Sequence, residues 1–268
     1  METTTKAWLN AIFLIITLAI NAMGVAGTIN GVSQAEISDM FLTLITPSPL
    51  AFSIWSVIYM SLISSVVVMI VKVKKQDPYY LKAVDEISVL FWVSCVFNIG
   101  WMVLFSFILI ELSVLFIVGL VISLSLILMK LLKIQQEGKR WLLPFSFGIY
   151  TGWLFVATVV NIAAALFKLR WNGFGIGEPT WAVVVLLIAC ALIVFVQLKN
   201  RNAIFPLPVA WAFFGIYQFL NSPDGFNGQY AIVQVVSLIG MAILIGAAAI
   251  QLYRNKFRLL PVADCQSE

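Results

Sequence analysis

The chain has 268 residues, of which 62% are hydrophobic and only 10% charged, with a net charge of +4 and a mean hydropathy of +1.03. A soluble domain of this length has too little interior to hide that much apolar surface. Crossing the hydrocarbon core takes about 20 apolar residues per helix, and several uncharged stretches reach that length, so the chain reads as an all-α, polytopic membrane helix bundle.

Apolar runs between polar punctuation predict about eight transmembrane helices, over roughly 8–29, 49–71, 87–110, 112–132, 142–167, 179–198, 203–221 and 229–252. The start, METTTKAW, runs into the first apolar stretch with no small-residue cleavage site after it, so that stretch is expected to remain as a helix. Pro206 and Pro208 fall in the first turn of the seventh run, where missing amide hydrogens are tolerated. All twelve acidic residues are expected in the intervals or at the ends.

The basic residues set the orientation. If Lys6 is cytoplasmic, then so are Lys72, Lys74, Lys75 and Lys82, then Lys130, Lys133, Lys139 and Arg140, then Lys199 and Arg201, and finally Arg254, Lys256 and Arg258. Only Lys168 and Arg170 of the sixteen fall outside. The positive-inside rule therefore predicts eight spans with both termini cytoplasmic, by default in a bacterial plasma membrane. This asymmetry accounts for the modest net charge, and no nucleic-acid partner is expected.

Three spans carry stripes of aromatic and uncharged polar residues. Phe52, Trp55, Ser56 and Tyr59 share one helical face of the second span. Phe91, Ser94, Asn98, Trp101 and Phe105 do so in the third. In the fifth the stripe is Ser146, Tyr150, Trp153, Ala157 and Asn161, with Thr158 beside it. Trp8, Trp141, Trp171 and Trp181 sit where an interfacial belt belongs, whereas Trp55, Trp101 and Trp153 lie deeper. Any one of these residues is equally accounted for by helix packing or an interhelical hydrogen bond. Three stripes of one makeup predict a shared, uncharged, aromatic-lined pocket for a large, flat apolar molecule. Gly24, Gly27, Thr28 and Gly31 read as a close-packing face of the first span.

Some chemistries are missing. There is no histidine, so the usual haem and zinc ligand and the usual general base are absent. No catalytic residue, metal site or resident cofactor is expected. Cys95 and Cys190 fall in spans and Cys265 in the tail, a spacing that argues against a disulfide framework. No charged residue lies mid-span, which leaves no proton relay, ion site or Schiff-base lysine.

These stripes resemble the TspO/MBR family, the tryptophan-rich sensory proteins related to the mitochondrial translocator protein (peripheral-type benzodiazepine receptor). The opening of the second span, Pro49, Phe52, Trp55 and Tyr59, is similar to the family's P-x-x-F-x-x-x-W pattern with Trp55 one residue closer. Phe97-Asn98-Ile99-Gly100-Trp101 looks like the L-N-x-x-W core of the third helix, with Phe for Leu. Trp153, Ala157, Thr158 and Asn161 match W-x-x-x-A-T-x-x-N of the fifth.

The resemblance covers roughly residues 1–172 and implies a five-helix core there, with residues 173–268 a three-helix extension and short tail. It implies a pocket for porphyrins, sterols or similar apolar ligands, lined by Trp55, Asn98, Trp101, Trp153, Ala157 and Asn161, in a protein that is often a homodimer. The sterol-contact tyrosine after the fifth span is absent. Trp211, Tyr217, Gln218, Asn221 and Gln234 in the extension would cap, enlarge or block the pocket.

The leading expectation is a binding or sensory membrane protein for a hydrophobic small molecule such as a tetrapyrrole, in contact with membrane lipids. The alternative is a transporter of small uncharged or amphipathic solutes, favoured by the broken start of the seventh span. An enzyme is disfavoured by the lack of histidine and of intramembrane carboxylates.

Overall fold

The computed structural model describes residues 1–134 and 140–261. Its helices are α1 (Thr3–Val25), α2 (Gln34–Asp39), α3 (Ile54–Lys74), α4 (Pro78–Ser106), α5 (Ile110–Ile134), α6 (Leu142–Lys168), α7 (Glu178–Asn200), α8 (Leu207–Asn221) and α9 (Ala231–Arg254). A 3-10 turn, Pro49–Ser53, leads into α3. No strand occurs among the described residues. Lys139 and Cys265 lie outside them.

Seven helices are long and apolar enough to cross a membrane, and α8 is not among them. The expected seventh span shrinks to 15 residues, about 23 Å at 1.5 Å per residue against a core of about 30 Å. Residues before the proline pair form a turn instead, in which the Asn202 side chain accepts from the Ile204 amide and Pro206 caps α8.

The chain nonetheless passes through the bundle at α8. The ends of α7 and α9 lie together: Asn255 donates to the Arg201 carbonyl oxygen at 2.9 Å, and the Ala203 amide to that of Leu259 at 2.9 Å. The two helices are parallel, so α8 and the loop after it must return the chain to the opposite end.

The same end gathers the other basic intervals. Lys6 pairs with Asp85 at 2.8 Å, Lys130 with Glu86 at 2.7 Å, and Arg140 with Asp77 at 3.2 Å. Asn202 reaches the Pro144 carbonyl oxygen at 2.7 Å. The start of α1 and the end of α9 are thus on one end of the bundle, while Lys168 pairs with Glu111 on the other.

Two further expectations need correction. The third span begins nine residues early, because Asp77 caps α4 through the Tyr79 and Tyr80 amides and Pro78 occupies the first turn. Asp85 and Glu86 therefore lie within a helix, not in an interval. Gly27 and Gly31 are not part of a helix face: α1 ends at Val25, and both adopt positive φ (71° and 75°) in the turn beyond. Of these three glycines, Gly24 is the one that faces a neighbouring helix, where a Cβ would run into the Met102 side chain of α4.

Between α1 and α3 the chain turns inward. Ser33 and Glu36 form a reciprocal capping box that starts α2. After it, Leu44, Ile45, Thr46 and Ser48 are all buried, so the chain enters α3 from inside the bundle. The Ser48 amide donates to the Gly215 carbonyl oxygen of α8 at 3.0 Å.

Candidate functional site

The segment that enters from inside the bundle presents Phe52, Trp55 and Tyr59 to α4 and α6. Proline at position 49 fixes the first 3-10 residue, and Trp55 and Tyr59 follow one helical turn apart. Trp55 becomes a hub. Its ring centroid lies 5.2 Å from Tyr59, 6.5 Å from Trp101, 6.2 Å from Tyr150 and 6.3 Å from Trp153. Phe52 meets Trp153 edge-on at 5.8 Å. Such offset and edge-to-face pairs exploit the ring quadrupole.

The polar groups form two chains around these rings. Asn98 donates to the Tyr150 hydroxyl at 2.9 Å and accepts from Asn21 at 2.6 Å. The Trp101 indole N–H donates to Asn161 at 3.1 Å, and Asn161 donates to Ser113 at 3.0 Å. Asn98, Trp101, Tyr150, Trp153 and Asn161 are buried, whereas Phe52, Trp55, Tyr59 and Ala157 are half-buried. Ala157, one turn beyond Trp153, packs on the main core.

The structure therefore brings eight of the nine sequence-predicted residues into one connected set of rings and hydrogen bonds, with Ala157 flanking it. Other members of the stripes do other work. Phe91 packs on Phe147. Ser146 bonds Ser65 at 2.8 Å and the Ser61 carbonyl oxygen at 3.0 Å, tying α6 to α3. Thr158 returns its hydroxyl to its own helix, and Ser56 is exposed.

Asn21 on α1 and Ser113 on α5 complete the two chains and were not predicted. Asn21 carried the same signal as Asn98, an uncharged amide deep in an apolar span. Ser113 carried none, since a lone serine in a helix usually bonds its own backbone, as this one also does to Ile110.

Two buried polar atoms of the site have no hydrogen-bond partner in the protein, the Trp153 indole N–H and Asn21 Oδ1. Trp153 is only 1% exposed. An unsatisfied donor at such a place costs about 1–3 kcal/mol, and buried polar groups nearly always find partners.

A cleft of about 300 Å³ flanks the ring cluster, between Ser53, Ile54 and Val57 of the α3 entry, Ile149 of α6, and Leu207 and Trp211 of α8. Trp211 donates its indole N–H to the Ala51 carbonyl oxygen at 2.9 Å. Ser48 Oγ bonds Gln218 Oε1 at 3.2 Å. Of the extension residues singled out from sequence, Trp211 and Gln218 thus touch the entry to α3. The arrangement holds no group of histidine, cysteine and acidic residues able to bind a metal, among the described residues.

The profile of the TSPO-like protein family matches residues 7–250, which includes α7, α8 and most of α9. Neither the curated proteins nor the solved structures contain a match to the chain. With α1, the entry to α3, α4, α5 and α6 converging on one aromatic cluster and the profile spanning nearly the whole sequence, this multi-pass integral membrane protein belongs to the TSPO-like protein family.

Proposed function

We propose that the chain is a membrane binding or sensory protein for a large, flat hydrophobic ligand of porphyrin type, held in the cluster around Trp55. The observation that carries this reading is the buried, unpartnered indole N–H of Trp153 inside an uncharged aromatic site. A ligand with a hydrogen-bond acceptor on an extended π-surface supplies the missing partner and stacks on the rings. Trp55 is half-buried and touches four other rings, so its rotation is the movement that admits such a ligand. Residues 1–172 form the binding core in this reading, and residues 173–268 hold its entry segment. The basic end faces the cytoplasm of a bacterial cell, and two copies associate in the membrane.

The experiment is a titration of purified protein with protoporphyrin IX, followed by tryptophan fluorescence, beside a Trp153→Phe, Asn161→Ala double variant. Saturable quenching at micromolar ligand, weakened in the variant, supports the reading. Non-saturable quenching, equal in both proteins, overturns it.

A transporter of small amphipathic solutes is the second reading. It draws on the irregular start of the expected seventh span, where the turn at Asn202 and Pro206 delays α8, since broken helices often border substrate paths. Protein-dependent uptake or efflux in vesicles separates it from binding alone.

A further inference from the structure

A second cavity, of about 490 Å³, lies on the opposite face of α6 from Asn161. Its walls include Leu44, Ala163, Leu166, Trp171 and Trp181, and its mouth carries Glu178. The volume is that of a small-molecule site. It borders α7, and α6 separates it from the ring cluster.

The mouth is built around two indoles. Trp171 and Trp181 have ring centroids 5.2 Å apart at 53°. Trp181 is fixed by donating its N–H to the Gly173 carbonyl oxygen at 2.8 Å. Gly173 has φ +61°, and a Cβ there would come 2.9 Å from the Trp181 indole nitrogen, so the loop can close on the ring only with glycine at this position. Tryptophans at the end of one span and the start of the next mark the headgroup level.

Charge selects the ligand. Glu178 is the one charged residue among those lining the cavity, and it is exposed. Lys168 is turned to Glu111 and the Ile108 carbonyl oxygen, and Arg170 is not part of the lining. The start of α7 offers an anion little: Pro179 has no amide hydrogen, and the Thr180 and Trp181 amides are spent on the Gly177 carbonyl oxygen. A carboxylate beside two indoles favours a cation, the carboxylate by charge and the rings by their quadrupole.

We infer that this cavity binds a cationic amphiphile, with an alkyl body between α6, α7 and the 42–45 segment and a quaternary ammonium or amine at Glu178, Trp171 and Trp181. Either a choline-type lipid headgroup or a free alkylammonium presents that chemistry.

The test is equilibrium dialysis of radiolabelled decyltrimethylammonium against the full chain in nanodiscs, with decanol as an uncharged competitor. Saturable binding near one equivalent per chain is expected. It should weaken about tenfold in Glu178→Gln and be lost in Ala182→Phe, which fills the apolar wall. Purely linear partitioning overturns the inference. So does equal affinity in wild type and Glu178→Gln, a mild change at an exposed position that keeps the test independent of whether Ala182→Phe folds. Decanol competing as well as the cation also overturns it. Discs of phosphatidylcholine and of uncharged digalactosyldiacylglycerol distinguish the two sources. Weaker binding in phosphatidylcholine identifies the lipid headgroup as occupant and equal binding a free amphiphile, and either supports a cation site. No porphyrin and no residue of the ring cluster enters this assay, so its outcome stands apart from that of the protoporphyrin titration.

Discussion

Trp211 on α8 donates its indole N–H to the carbonyl oxygen of Ala51, 160 positions earlier, at 2.9 Å. The bond joins the C-terminal helices to the turn that launches Phe52 and Trp55 into the site. Its strength is bounded, because the same carbonyl also accepts from the Ile54 amide. Trp211→Phe keeps most of the packing and leaves no orphaned acceptor. It should cost about 1 kcal/mol, read as a small fall in the thermal midpoint in detergent.

Gly215→Ala should cost more. A Cβ there would lie 2.6 Å from the Ala51 Cβ and 3.2 Å from the Pro47 Cβ. Both neighbours belong to the backbone-fixed entry segment, so neither can rotate away. Overpacking of this kind costs about 1–3 kcal/mol. A midpoint at least as low as that of Trp211→Phe is expected, together with weaker protoporphyrin quenching because the entry segment shifts.

Asn98 connects α1 to α6 through Asn21 and Tyr150. Asn98→Ala removes both bonds, leaves the Tyr150 hydroxyl without that partner and opens a small void. The expected loss is about 1–3 kcal/mol. Tyr150→Phe should lose less, and a double-mutant cycle between the two should give a coupling of about 0.6–2 kcal/mol. Strict additivity would mean that the bond contributes nothing.

At the far end, Lys168 bonds Glu111 and also the Ile108 carbonyl oxygen at 2.7 Å. The ion pair is partly exposed, with side chains at 29% and 35%, and such pairs contribute about 0–1 kcal/mol. The carbonyl bond closes the turn at Ile108, which has φ 59°. Lys168→Met should therefore destabilise by roughly 1 kcal/mol and Glu111→Gln by less. Equal effects would show that the turn bond adds nothing.

The three stripes were legible because helical spacing fixes which residues share a face, and two of those faces, around Asn98 and around Trp153, need a common filling. Asn21 was legible in kind but isolated, a single amide without aromatic company. The first turns of α4 were hidden because Asp85 and Glu86 read as interval residues, and only the structure shows Lys6 and Lys130 pairing with them. The inward course of residues 44–48 was hidden for the opposite reason. Thr46, Pro47 and Ser48 look like surface punctuation, yet their burial depends on α8, which lies more than 150 residues later in the chain. The length of α8 was overestimated because hydropathy continues through Ala203–Phe205, where the Asn202 and Leu259 bonds hold a turn.

That short helix has a consequence for how the protein is made. α8 has 15 residues with prolines on either side of its first position, too little for stable insertion by its own hydrophobicity. Most of its surface meets protein: Val209, Ala212, Phe213 and Ile216 are almost fully buried, and Phe213 packs against Gly240 of α9. α8 must therefore enter the bilayer paired with α9, as a hairpin. Until that hairpin seats, the Ala51 carbonyl and the Ser48 amide lack their α8 partners, so the entry to the aromatic cluster takes its final form only after α8 and α9 are in place.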